Sequence, residues 1–178
     1  MNDITSSDNS IPSDLKLAKK IVFDKIDLKV TSIQKEDESD EYKAYRLLLN
    51  NQKICYREAK ITPAKTGQFV TLWKRNKSGI IEPFDYSDPI DFVIVNTRKD
   101  TNWGHFIFPK NILLEKGIFS TQNKEGIRAT RVYPPWDETF SRQAQKTQKW
   151  QLDYFIQFTN SNEIDFKSIE KILRIDFQ

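Results

Sequence analysis

The stretch with the most usable chemistry is residues 56–75, YREAKITPAKTGQFVTLWKR, where cations, aromatics and turn formers are interleaved. Between residues 57 and 77 six cations, Arg57, Lys60, Lys65, Lys74, Arg75 and Lys77, accompany one acid, Glu58; that local +5 exceeds the +3 of the whole chain. Lysine and arginine neutralise phosphates and release counterions, while aromatics such as Phe69 and Trp73 stack on unpaired bases. A second stretch of the same character, KEGIRATRVYPPW at 124–136, adds Lys124, Arg128, Arg131, Tyr133 and Trp136. Arg57, Arg128, Arg131, Gln145 and Gln148 stand beside apolar neighbours, where a polar group must find a partner. Nucleic acid, DNA or RNA, is the partner this chemistry suits. The residues expected to hold it are Arg57, Lys60, Lys65, Trp73, Lys74, Arg75, Arg128, Arg131 and Gln148, with Lys60, Lys65, Lys74, Arg75, Arg128 and Arg131 lining one cleft. A protein-interaction surface is the competing reading, and high salt would separate the two.

Hydrolysis makes a further demand. Glu58-Ala59-Lys60 puts an acid and a lysine on one face of a strand, because side chains alternate along it. Cleaving a phosphodiester with a metal needs oxygen ligands for a hard cation and a route to hydroxide near neutral pH. Residues 29–41, which include the acidic run KEDESDE at 35–41, lack turn glycines and ligand spacing, so they are expected to be a solvated connection, although Glu41, like Asp88, remains a lesser candidate ligand. His105 has no acid or nucleophile beside it in sequence and reads as structural. Cys55, the one cysteine, reads as a buried small hydrophobe.

These residues need a scaffold. With 178 residues, 38% hydrophobic and 12% aromatic, the chain is long enough for one folded domain with a real core. Residues 1–12 are polar and expected to be a mobile tail, leaving 13–178 as the domain. A helix capped by Ser13 or Asp14 follows, with Leu15, Ala18, Val22 and Ile26 on its apolar face. Residues 43–49 and 53–61 read as a hairpin around Asn50-Asn51-Gln52. DFVIVN at 91–96 reads as a strand buried on both faces, and 104–108 as its antiparallel neighbour, which brings Asp91 beside Lys110. A short helix closed by Gly117, a helix over 141–158 with Trp150, Tyr154 and Phe158 as its core stripe, and a last helix over 166–173 complete the expectation. The fold class is α/β, with a central mixed sheet flanked by helices. No apolar run approaches membrane-spanning length and no leader pattern opens the chain, so a cytoplasmic location with no membrane partner is expected.

The segments REAKITPAKTGQFVTLWKR, DFVIV followed by FIFPK, and RATRVYPPWD followed by QAQKTQKWQLDYF resemble the MepB-like family over roughly residues 40 to 156. The resemblance implies a fold similar to the PD-(D/E)XK, or restriction-endonuclease-like, nucleases. In that superfamily an acid opens one strand, and an acid and a lysine follow on the next. Asp91 matches the first acid and Lys110 the lysine, but Phe108 stands where the second acid belongs. The candidate catalytic set is therefore Asp91, Lys110 and Glu58, with Asp91 and Glu58 as the metal ligands. Hydrolysis there would use magnesium or manganese, and no cofactor follows with certainty. The expectation is a nucleic-acid binder with an incomplete metal site; an active metal-dependent endonuclease and a protein-interaction module are the alternatives.

Overall fold

The computed structural model describes residues 11–159 and 163–174, so most of the expected N-terminal tail lies outside the described residues. The strands in chain order are β1 (Val30–Lys35), β2 (Tyr45–Leu49), β3 (Gln52–Glu58), β4 (Lys60–Ile61), β5 (Gln68–Thr71), β6 (Trp73–Arg75), β7 (Ile81–Pro83), β8 (Phe92–Lys99), β9 (Asn102–Pro109), β10 (Ala129–Val132) and β11 (Phe155–Gln157). The α-helices are α1 (Ser13–Ile21), α2 (Lys110–Glu115), α3 (Arg142–Gln151) and α4 (Phe166–Arg174). None is long and apolar enough to cross a membrane.

The central sheet is mixed, in the order β1-β2-β3-β8-β9-β11. Asn50 and Asn51, with φ of 48° and 66°, make the two-residue turn between β2 and β3, since paired left-handed residues match the strand twist. β3 then lies parallel to β8, and β9 returns antiparallel, so the Lys110 amide donates to the Asp91 carbonyl at 2.9 Å. Alternation along β8 feeds two cores. Phe92 and Ile94 join Leu15, Ala18 and Ile169 from α1 and α4 on one face. Val93 and Val95 join Val70, Phe84, Leu113 and Phe119 on the other. The crossover from β3 to β8 carries no α-helix; it holds β4 to β7, which form a three-stranded sheet ordered β10-β5-β4 and a β6-β7 pair.

Three local expectations are corrected. Residues 30–35 form strand β1 rather than part of a solvated connection, because Val30 and Ile33 turn toward the core and pair along β2. The expected 141–158 helix stops at Gln151; one 3-10 turn follows, and β11 closes the edge of β9. Trp150 and Tyr154 pack on Phe108 on one face of the sheet, while Phe158 packs on Trp103 and His105 on the other, so the stripe is divided. β11 approaches this closely because residue 104 is glycine: a Cβ there would meet the Ile156 carbonyl oxygen at 2.5 Å. Finally, α1 starts after Pro12 with no side-chain cap. Asp14 instead accepts two hydrogen bonds from the Arg98 guanidinium (2.7 and 2.8 Å) and one from Asn96 (2.9 Å), stronger partners than a free helix amide.

Candidate nucleic-acid interface

The acid–lysine centre is only partly drawn together. Asp91 and Lys110 are main-chain neighbours, but their side chains are engaged elsewhere. Asp91 Oδ2 accepts from the Lys53 amide at 2.7 Å, and Lys110 Nζ donates to the Asp88 carbonyl at 2.6 Å. Glu58 sits beside Asn96, five residues up the parallel pair from the Asp91 end, a separation of about 16 Å at the rise of a strand. There it accepts from the Tyr56 hydroxyl at 3.1 Å, and burial raises its pKa. Asp91 and Glu58 therefore cannot share one ion, and no group of three or more potential metal ligands occurs among the described residues.

The first basic stretch is largely neutralised within the fold. Arg57 is 1% exposed, and Glu36 bridges it and Arg46 at 2.5 Å each, both guanidinium groups lying over the Phe84 ring. Lys60 pairs with Glu41 (3.1 Å), and Arg75 pairs with Glu38 while covering the Trp73 ring. Lys74 lies between Asp85 (2.6 Å) and Asp88 (2.8 Å). Burial alone would raise the Asp85 carboxyl, but hydrogen bonds from Lys74 and Ser87 outweigh it and bring its pKa down to about 2. Arg128 pairs with Glu125 (2.8 Å). Glu36, Glu38 and Glu41 of the acidic run, which sequence alone leaves in solvent, are thus the counterions of Arg57, Arg75 and Lys60.

Arg131 and Gln148 brace the fold. Arg131 donates to the Thr62 hydroxyl (2.7 Å) and the Gly67 carbonyl (3.0 Å), tying β10 to the 61–67 loop. Gly67, at φ 80°, is required there twice over: its backbone is left-handed, and a Cβ would meet the Tyr133 ring at 2.5 Å. Gln148 donates to the Pro134 and Asp137 carbonyls (3.1 and 2.8 Å) and accepts from Thr139 (3.0 Å), holding the 134–139 turn against α3. Lys65 differs from the other cations expected to hold nucleic acid: it is exposed and makes no ion pair among the described residues.

Both basic aromatic stretches nevertheless meet in one sheet, because β5 and β10 pair with Phe69 opposite Arg131. Two hollows flank the result. One, of about 500 Å³, lies between the 61–67 loop and the 136–140 turn and is lined by Ile61, Lys65, Lys99, Trp136, Asp137 and Phe140, among others. The other, of about 350 Å³, runs from Phe69, Arg131 and Tyr133 to Ser141 and Gln143 at the start of α3. Lys99 is held to the buried Asp137 at 3.1 Å, whereas Arg142, Lys146 and Lys149 stand exposed on α3 without an ion pair among the described residues. Glu138 is the opposing charge on the first hollow. Among the described residues, neither of these two hollows takes in Lys60, Lys74, Arg75 or Arg128.

The sequence reading missed Phe140, Ile61 and Lys99. Phe140 is 78% exposed and Ile61 58%. A signal for Phe140 was present. It precedes Ser141, whose hydroxyl accepts from the Ala144 amide as the N-cap of α3. An apolar residue at that position usually packs on the fourth helical residue, but here that residue is Gln145, which donates to the Thr139 carbonyl (3.1 Å). Phe140 has no staple partner and stays in water.

A family model described as MepB-like matches residues 36–157 of this chain. The crystal structure of MepB is similar to it, with 30% sequence identity and a TM-score of 0.73, over 84% of this chain and 99% of that one. No curated protein matches the chain.

Proposed function

The chain belongs to the MepB-like family, and from that premise we propose that it binds nucleic acid along the surface between the 61–67 loop and the start of α3. The observation that carries the reading is the pairing of exposed aromatic and cationic side chains, Phe140 and Lys65, on one open hollow, with Arg142, Lys146 and Lys149 continuing the positive charge along α3. Cations without internal acids are the ones able to trade counterions for phosphates. In this reading the mixed sheet is a PD-(D/E)XK-like scaffold with an incomplete metal site, and the protein acts in the cytoplasm as a binder. Hydrolysis is the less favoured role, because Asp91 and Glu58 stand at opposite ends of the β3–β8 pair and Phe108 is buried in the apolar core.

The test is fluorescence anisotropy with labelled DNA and RNA over a range of salt, with magnesium, manganese or chelator present. Binding should weaken as salt rises. Lys65→Ala and Arg142→Ala should each flatten that dependence by about one phosphate contact, and Glu138→Gln should tighten binding. Binding that ignores both lysine and arginine removal would refute this surface. Metal-dependent nicking that disappears in Asp91→Ala would restore the endonuclease reading.

A further inference from the structure

We infer that the hollow takes an unpaired base, so that the preferred ligand is single-stranded nucleic acid; this rests on the binding surface proposed above. Phe140 and Ile61 line the same hollow from two segments, the turn before α3 and the start of the 61–67 loop, and both leave most of their apolar surface in water. A duplex hides the faces of its bases inside the stack and offers phosphates and groove edges, which leave an exposed phenyl ring in solvent. An unpaired base offers two flat faces. Phe140 stacks on one face, and Ile61 closes over the other.

Two of the polar groups that line the hollow are already engaged within the fold. The Thr62 hydroxyl is taken by Arg131 at 2.7 Å, and Asp137 by Lys99 at 3.1 Å. Stacking itself tolerates every base, so the preference is for an unpaired strand rather than for a sequence. Lys65 on one lip and Arg142 just beyond Phe140 are placed to meet the phosphates on either side of the stacked base. The hollow of about 500 Å³ lies within the range of small-ligand sites, ample for one base and its sugar.

The experiment compares a fluorescein-labelled 12-nucleotide oligo-dT with a mixed-sequence 20-base-pair duplex on the full chain, for wild type, Phe140→Ala, Phe140→Trp and Lys65→Ala. Phe140→Ala should weaken oligo-dT binding by about 5- to 150-fold, the range of one lost base–aromatic stack, and leave duplex binding unchanged. Phe140→Trp should retain oligo-dT affinity, and Lys65→Ala should weaken both ligands. Phe140 is 78% exposed, so its replacement should leave the unfolding midpoint nearly unmoved, and the midpoint is measured alongside. Equal effects of Phe140→Ala on both ligands, or none on oligo-dT, would overturn the single-strand inference while the broader binding reading stands. Failure of the wild type to bind either ligand would overturn both.

Discussion

Replacing His105 with phenylalanine should remove much of the acid sensitivity of this fold. The imidazole is fully buried among Tyr56, Trp103 and Phe158, and neither ring nitrogen has a hydrogen-bond partner. Burial is the main cause that pushes its pKa from 6.5 to about 3, with Arg98 adding to the depression and Asp14 opposing it. The unfolded chain therefore takes up a proton below about pH 6.5, whereas the folded chain does not until about pH 3. Stability is full above the unfolded value and falls through that window by up to ~1.4 kcal/mol per pH unit. Between pH 7.5 and 5 the loss assigned to this one ring is about 2 kcal/mol. Asp14 and Asp85, held below the ordinary carboxylate value, lose stability in the same direction but at lower pH. The raised Glu58 acts oppositely, since protonating it favours the fold. Denaturant midpoints of wild type and His105→Phe at half-unit pH intervals isolate the histidine, because the carboxylates are common to both. The larger ring costs roughly 1–3 kcal/mol by overpacking at every pH, so the slope is the diagnostic quantity. Parallel profiles from pH 7.5 to 5 would refute the reasoning.

Two further substitutions probe the scaffold. Glu36→Ala leaves Arg57 charged and buried without its carboxylate and should cost about 3–5 kcal/mol in urea unfolding; adding Arg57→Met should recover much of it, and a single variant with an unmoved midpoint would mean the pair contributes nothing. Gly104→Ala should destabilise by about 3 kcal/mol through the clash with the Ile156 carbonyl, with faster amide exchange in β9 and β11 than elsewhere; uniform exchange rates would place the damage somewhere other than this edge.

The parts of the fold legible in sequence are those set by local chemistry. Asn50-Asn51 encodes a turn whose φ values only a few residue types tolerate, and FVIV encodes a strand with apolar surroundings on both sides. The main-chain adjacency of Asp91 and Lys110 follows from the short β8–β9 connection. What escaped the sequence depends on partners far along the chain. Arg57 and Glu36 are 21 positions apart, and Arg75 and Glu38 are 37 apart, so a local charge count sees a basic patch and an acidic run where the fold makes neutral pairs. β1 was hidden because its charged neighbours dominate the window. β11 was hidden because Trp150, Tyr154 and Phe158 keep helical spacing, although the β9 edge needs closing and captures Phe155–Gln157 instead. Phe140 carried a readable mark, an apolar residue before a serine cap with glutamine at the staple position.

The helix-free crossover between β3 and β8 also orders the assembly of the molecule. The β2–β3 and β8–β9 hairpins join strands separated by two residues each, so they can form within microseconds as independent units. Their parallel junction must wait for the 33 residues between them to be drawn into a loop, at an entropic cost of about 3 kcal/mol before any contact repays it. β5 waits longer still, because its partner β10 begins 58 positions after β5 ends, at Ala129, and α3 follows later again. On a ribosome, the hairpins emerge while the proposed binding surface has no second wall. Pulse-labelled exchange during refolding should accordingly find β2–β3 amides protected before those of β5 and β10, with nucleic-acid affinity arriving only in the last kinetic phase.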